Sequence, residues 1–400
     1  MTDYNINFLE EAENIKEQLI AWRRDFHQNP ELGFEEYRTS KVIKEFLDSE
    51  GISYLSVANT GICAIIKGAA SNGVKKKTIG IRADIDALPL KDNKGCSYAS
   101  KVEGKMHACG HDAHMTVLLG VAKILNKHKD KLKGNVKLIF EPAEETVGGA
   151  RFMIKEGILE NPRVDGVIGL HVSEAIEAGK VGIKQGVFNA ASNPFTIKIK
   201  GKGGHGAHPE DTIDPVFISS QVIMALQSIV SREIPPQSPA VVTIGSIHGG
   251  TAQNIIPEEV ELKGIIRTMK TEHRELAKKR LVEITEGICK TMKASCEINI
   301  EESYPCLYND DNMIKLLKEG AEKIVGSENI LELEYPSMGV ESFAYFSMER
   351  PSAFYFLGSA NFIKGIDKPA HGSLFDIEED CLPLGVAIQC QTAFDFLNYR

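Results

Sequence analysis

Residues 106–114 read MHACGHDAH, placing three histidines and a cysteine within nine positions. Imidazole and thiolate are good ligands for zinc and similar ions. His107, Cys109 and His111 alternate, so near a helix start they can project together into a cleft, and Gly110 lets the backbone turn tightly. The same stretch could be a polar helix start, or Cys109 could be a nucleophile activated by a histidine. Four other segments offer partners. EPAEE (141–145) follows the apolar run NVKLIF. Its adjacent carboxylates point differently, so Glu144 and Glu145 could divide proton transfer from metal binding; paired glutamates also occur on ordinary solvated loops. His171 closes the apolar run VDGVIGLHV (164–172), where a hydrogen-bonded structural histidine is the rival reading. His371 lies in KPAHGSLFD (368–376), and Asp84 and Asp86 lie in RADIDALP (82–89). Two metal ions about 3.5–4 Å apart need bridging and several terminal ligands. These segments hold enough donors if the fold makes them converge.

Convergence depends on the elements between them. EEYRTSKVIKEFLDSEG (35–51) carries Val42, Ile43, Phe46 and Leu47 at helical spacing and closes on Gly51. HMTVLLGVAKILNKHK (114–129) has the same periodicity. GICAIIKG (61–68), KTIGIRADIDALPL (77–90), NVKLIFEP (135–142) and VDGVIGLHV read as strands. Helices alternating with near-continuous apolar strands predict an α/β domain with a mostly parallel sheet flanked by helices. In such sheets, sites gather at the carboxyl ends of strands, where these candidate residues fall. After about residue 187 the rhythm changes. Strands at 194–203, 240–248, 258–268 and 295–303 and helices at 214–232 and 271–292 give the order β-α-β-β-α-β, that of a ferredoxin-like α+β sandwich. The α/β rhythm returns from about 304, with helices at 311–325, 341–349 and 378–397 and a strand at 352–358. The expected domains are therefore 1–186 and 304–400 together, with 187–303 inserted. The polar patch SNGVKKK (71–77) reads as a solvated hairpin turn.

At 400 residues the chain is too long for one core. Its net charge of −9 disfavours nucleic acid as a partner. No apolar run nears the roughly 18 residues of a membrane span, and the acidic start MTDYNINFLEEAEN does not look like a secretory signal. A cytoplasmic protein with no membrane partner is expected. Eight cysteines without a CxxC pair are then mostly reduced, and only Cys109 stands among other ligands.

WRRDFHQNPELGFEE (22–36), RADIDALP, HACGHDAH, EPAEE, GGHGAHPE (203–210), QNIIPEE (253–259), FYFLG (354–358) and HGSLFDIEEDCLPLG (371–385) resemble the M20 family of metallopeptidases, in particular its amidohydrolase branch. The resemblance runs in order through nearly the whole chain. It implies a di-metal catalytic domain with an inserted lid domain that forms a homodimer. Cys109, His111, Glu145, His171 and His371 match its metal ligands, the cysteine in a bridging position, and Glu144 matches the general base. Asp86 matches an aspartate that supports the site from behind the ligands. His205 matches a lid histidine that reaches the partner's site, and Asn254 and Arg267 match residues that hold the substrate carboxylate. His107, His114 and His208 have no metal role in the pattern, and His27, His128, His248 and His273 are expected to be structural or solvated. SMGVESFAYF (337–346) departs from the family's usual G-S-E-D-F at Val340 and Ser342. The implied activity is hydrolysis of the amide of N-acyl-amino acids by metal-activated water, with two divalent ions (zinc, manganese, cobalt or nickel) per subunit. A metallo-exopeptidase acting on short peptides is the alternative, and a metal-binding protein without activity is the third reading.

Overall fold

The computed structural model describes residues 6–70 and 76–398, so most of the 71–77 patch lies outside the described residues. The chain forms two compact units. One comprises Met1–Phe188, Tyr308–Tyr335 and Glu341–Arg400; the other comprises Asn189–Leu307 and Pro336–Val340.

The larger unit is built on an eight-stranded sheet in the order Ser53–Val57, Gly61–Lys67, Asn135–Glu141, Thr78–Asp84, Gly166–Glu177, Ser352–Ala360, Val181–Ile183, Ile330–Glu332. The four middle strands run parallel. Thr78–Asp84 is buried along its whole length, as a strand covered on both faces must be. Antiparallel pairings occur only toward the edges, and the edge strand Ser53–Val57 is largely exposed. Helices flank the sheet. Tyr37–Ser49 ends as the sequence predicts, with Gly51 in the left-handed region at φ 64°. The helix expected from His114 starts at His111, which brings His111, Asp112 and Ala113 of the histidine-rich stretch into its first turn. Two N-terminal helices that the sequence reading did not assign, Phe8–Glu13 and Lys16–Gln28, pack into the same core through Phe8, Leu19 and Phe26.

The smaller unit follows the order strand Ala191–Lys200, helix Pro215–Ser228, strands Ala240–Gly249 and Glu259–Thr268, helix Thr271–Thr291, strand Ser295–Ile300. Its four strands are antiparallel, with Glu259–Thr268 and Ala191–Lys200 central. This is the ferredoxin-like arrangement. Pro215 opens its first helix, and Asp214 accepts hydrogen bonds from the N–H groups of Val216 and Phe217. Its core is its own, made of Phe195, Ile197, Val222, Leu226, Leu262 and Leu281 among others. Among the described residues, no helix is long and apolar enough to cross a membrane.

Candidate metal centre

Parallel pairing puts Asp84 beside Glu141 and His171 beside Phe356, so the carboxyl ends of the middle strands carry the candidate residues in one neighbourhood. The close approach depends on Gly110. Its φ is 87°, and a Cβ there would lie 2.3 Å from the Val172 side chain. Only glycine lets the HACGH turn sit this tightly against the strand that carries His171.

Among the described residues, four groups of donors have ligand atoms within 4.8 Å of one another. Cys109, His111 and His171 form one, and Cys109, Glu145 and His371 form a second that shares the thiol. His111 with Glu144 and Glu145 forms a third. The fourth, Asp84 with His111 and His114, is consumed internally. The Val172 N–H donates to His114 Nε2 at 3.0 Å, so His114 Nδ1 carries the proton and donates to Asp84 at 2.6 Å. The other Asp84 oxygen takes the Arg82 guanidinium at 2.8 Å. His114 therefore has no lone pair to spare for a cation, and both Asp84 oxygens are already engaged by buried donors.

The remaining histidines present one nitrogen each. His111 Nδ1 donates to the Asp86 main-chain oxygen at 2.8 Å, leaving Nε2 as a lone pair, and that atom is buried without a hydrogen-bond partner. His171 Nδ1 donates to the Val172 carbonyl at 2.6 Å, which leaves Nε2 facing Cys109 Sγ at 3.3 Å. A buried polar atom left unpaired is costly, and a cation is the partner that a bare imidazole lone pair beside a thiol and a carboxylate fits. Glu145 Oε1 lies 3.2 Å from His371 Nε2 and 3.8 Å from His111 Nε2. His371 sits in the left-handed region, φ 62°, as does Ala143, φ 53°, just before the glutamate pair. Strain of this kind persists where surrounding contacts over-determine it.

Asp86 organises the centre from behind. Its two carboxylate oxygens accept the N–H groups of Glu144 and Glu145, both at 3.0 Å, and its main-chain oxygen takes His111 Nδ1, so one residue aims two neighbouring glutamates and the His111 ring. Glu144 is buried, and one of its oxygens accepts the Ser342 N–H at 2.9 Å. Around it lies a cluster that the residue types alone did not reveal. Arg82 is fully buried and donates to Asp84, Glu141 and Ser342 and pairs with Glu341 at 2.9 Å. Ser342 thus supplies both a main-chain donor to Glu144 and a hydroxyl bridging Arg82 and Glu141.

The electrostatics call for positive charge. Burial, with the carboxylates of Glu341 and Glu145 nearby, pushes the Glu144 pKa well up. Burial and Glu145 push the Cys109 thiol up as well, which is the reverse of what an activated nucleophile needs. Despite burial, contact with His371 and His111 holds Glu145 below the usual carboxylate range. Despite burial, Asp84 and Cys109 hold the His111 pKa well above its ordinary value. Excess buried carboxylate, an orphaned imidazole nitrogen and a shared thiol together fit a divalent cation site. His107 lies behind this cluster, buried and with neither ring nitrogen paired; burial pushes its pKa down to about 3.

The remaining candidates belong to the smaller unit. His205 is exposed on a two-residue strand paired with Ile255–Ile256, and Asn254 adjoins it through a hydrogen bond from the Gly206 N–H to the Asn254 carbonyl. Arg267 lies on the central strand Glu259–Thr268, opposite Ser192 and Val241. The nearby glutamates pair elsewhere, Glu259 and Glu261 with Lys198 and Glu261 with Lys263. Among the described residues no acidic group pairs with Arg267, its Nη1 is buried without a partner, and burial lowers its pKa.

A family model, described as peptidase family M20/M25/M40, matches residues 80–395. The chain is 38% identical over 391 residues to thermostable carboxypeptidase 2 of Saccharolobus solfataricus, covering 97% of this chain and 98% of that protein. It is 39% identical to the N-acetyl-L-cysteine deacetylase of Bacillus subtilis, covering 92% and 85%. The solved structure of Bacillus subtilis YXEP, a dinuclear metal-binding peptidase of the M20 family, superposes with a TM-score of 0.81 at 32% identity, covering 97% of this chain and all of that one. With a donor cluster that fits divalent cations at the sheet's carboxyl edge and likeness along nearly its whole length, the chain belongs to peptidase family M20/M25/M40 and is a metal-dependent hydrolase of amide bonds.

Proposed function

We propose that the protein hydrolyses the amide of N-acyl-amino acids with two divalent ions per subunit, zinc, manganese, cobalt or nickel. The observation that carries the two-ion reading is the pair of donor groups sharing Cys109. His111 and His171 would complete one ion's ligands, and Glu145 and His371 the other's. Such ions lower the pKa of water and polarise a carbonyl. Glu144 accepts the proton of the attacking water and passes it to the leaving amine. The Ser342 N–H holds one of its oxygens in place. Asp86 keeps both glutamates and the His111 tautomer in place.

The small unit, 187–303 in sequence, acts as lid and dimerisation domain. Among the described residues, no strand pairs with the outer edge of Ala240–Gly249, and Val241 and Ile247 on that strand are exposed. Helix Pro215–Ser228 exposes Val216, Phe217 and Met224. An open edge beside apolar side chains supports pairing with a second copy. In the dimer, His205 donates a hydrogen bond to the tetrahedral oxyanion. Asn254 and Arg267 hold the amino acid's carboxylate, which suits a guanidinium left without an acidic partner.

The carboxypeptidase relative keeps a peptide-cleaving exopeptidase in view. Assays of acetyl-, benzoyl- and indole-acyl amino acids beside dipeptides, each with the four metals, decide between the two. Turnover of acyl-amino acids at least tenfold above dipeptides is the expected outcome. A preference for dipeptides would overturn the substrate class.

A further inference from the structure

The N-terminal segment WRRDFHQNP takes no part in the chemistry above, yet Arg23 in it is fully buried. Its Nε donates to Asp112 Oδ2 at 2.8 Å and its Nη2 to Asp376 Oδ1 at 2.7 Å. Its Nη1 lies 3.4 Å from Glu379. Asp112 immediately follows His111 in the first turn of that helix. Asp376 lies five residues after His371, in a stretch without helix or strand. One guanidinium thus spans the two segments that carry His111 and His371. The partners are held in turn. His27 Nδ1 donates to the same Asp112 oxygen at 2.7 Å, and the Tyr98 hydroxyl donates to Asp376 Oδ2 at 2.7 Å.

The His371 side chain needs such help. It is 55% exposed, so its own packing fixes it poorly. Its backbone is in the left-handed region, and its main-chain contact with the opposite segment is one hydrogen bond, 2.7 Å to the Ala108 carbonyl. His111, by contrast, is 1% exposed and held through Asp86. A planar guanidinium fixed on two carboxylates sets both distance and angle between the segments that bear them.

We propose that Arg23 is a positioning residue for the metal centre, locking the His371 loop onto the start of the His111 helix so that the ligands they carry are preorganised. The inference rests on the two-ion reading of the site. Groups behind the ligands commonly change metal affinity by about 10–100-fold, and that affinity is the quantity to read.

The test is titration of the metal-free protein with cobalt(II), followed by its visible absorption and by competition with a chelator. Wild type, Arg23→Met, Arg23→Lys and Asp376→Asn are compared with Leu47→Ala. That control lowers stability from helix Tyr37–Ser49, which carries none of these groups. The expected result is at least one cobalt ion bound about tenfold more weakly, with an altered spectrum, in Arg23→Met and Asp376→Asn, and a smaller change in Arg23→Lys. Leu47→Ala should bind as wild type does despite a lower melting temperature. Unchanged affinity and spectrum in folded Arg23→Met would overturn the proposal. If Arg23→Met does not fold, Asp376→Asn and Arg23→Lys decide on the same criterion. A wild type that binds no cobalt would instead refute the metal reading of the site, which separates the two failures.

Discussion

The two units hold their candidate residues in opposite ways. In the larger unit, the groups meet inside the unit and are fixed by it. Asp86 aims Glu144, Glu145 and His111, and Arg82 anchors the carboxylates around Glu144. In the smaller unit, His205 and Asn254 are exposed, and Arg267 keeps a buried nitrogen without a partner. A preorganised cluster can bind a cation on its own. Exposed groups such as these, and a guanidinium nitrogen without a partner, can serve a substrate anion or a second chain when one arrives. This contrast separates residues that build the metal centre from those that act on a substrate brought to it.

The largest effect is expected at Glu144. Glu144→Gln should lower kcat by about 10⁴-fold, the upper range for a proton-transfer group, while metal content measured by elemental analysis stays that of wild type. Loss of metal along with turnover would make Glu144 a ligand and undo its separation from Glu145.

His205→Ala tests the other side of the comparison. Loss of an oxyanion donor should cost about 10²–10³-fold in kcat, with metal content unchanged. Mixed with inactive Glu144→Gln protomers, it should recover part of the activity, because one catalytic unit and one small unit remain intact in the mixed dimer. No recovery, with subunit exchange demonstrated by mass spectrometry, would place His205 in its own chain's reaction or outside the reaction.

Arg267 should govern recognition of charge. Replacing the substrate's carboxylate by an amide should lower kcat/KM by about 30-fold or more in wild type, as for a charge pair that loses one partner. Arg267→Ala should treat acid and amide nearly alike. Equal rates with both substrates in wild type would remove the carboxylate preference.

A smaller effect concerns the turn that presents the glutamates. Glu36 is buried, accepts the Ala143 N–H at 2.8 Å and takes the Thr60 hydroxyl. Burial pushes its pKa from near 4.5 up to about 7. The folded carboxyl thus holds its proton more tightly than the unfolded one. Its contribution to stability is complete below about pH 4.5 and falls away as pH rises through about 7, by at most about 3 kcal/mol. Glu36→Gln cannot ionise and keeps an acceptor for Ala143. Urea denaturation should find it close to wild type at pH 4.5 and more stable at pH 8. A wild-type advantage at pH 8 would show that the charged form is the one the fold favours.

Much of this could be read from the chain alone, for physical reasons that stop at a definite point. The sheet's parallel middle was legible because strands buried on both faces, such as Thr78–Asp84, are mostly apolar and carry their few charged groups near the carboxyl end. The α+β order of the smaller unit followed from the change of period from helix to strand. Helices Phe8–Glu13 and Lys16–Gln28 escaped because their polar residues outweigh a narrow buried face, Phe8 and Ala12 in one and Leu19, Arg23, Phe26 and His27 in the other. In the second, two of the four buried groups are ionisable. Residue types and spacing brought forward His107, Cys109, His111, Glu144, Glu145, His171, His371, Asp84 and Asp86 together, and the resemblance to the M20 family singled out Cys109, His111, Glu145, His171 and His371 as ligands and Glu144 as base. Spacing could not say which nitrogen each histidine would offer. That depended on which carbonyl, carboxylate or N–H stood opposite, and for His114 both nitrogens are taken, by Asp84 and by the Val172 N–H. Nor could it pair Arg23 with Asp376, or Arg82 with Ser342 and Glu341, across hundreds of positions. The sequence by itself determined which chemistry the donors can perform. Only the tertiary structure decided which of them keep a lone pair for a metal, because hydrogen bonds between distant segments take up the others.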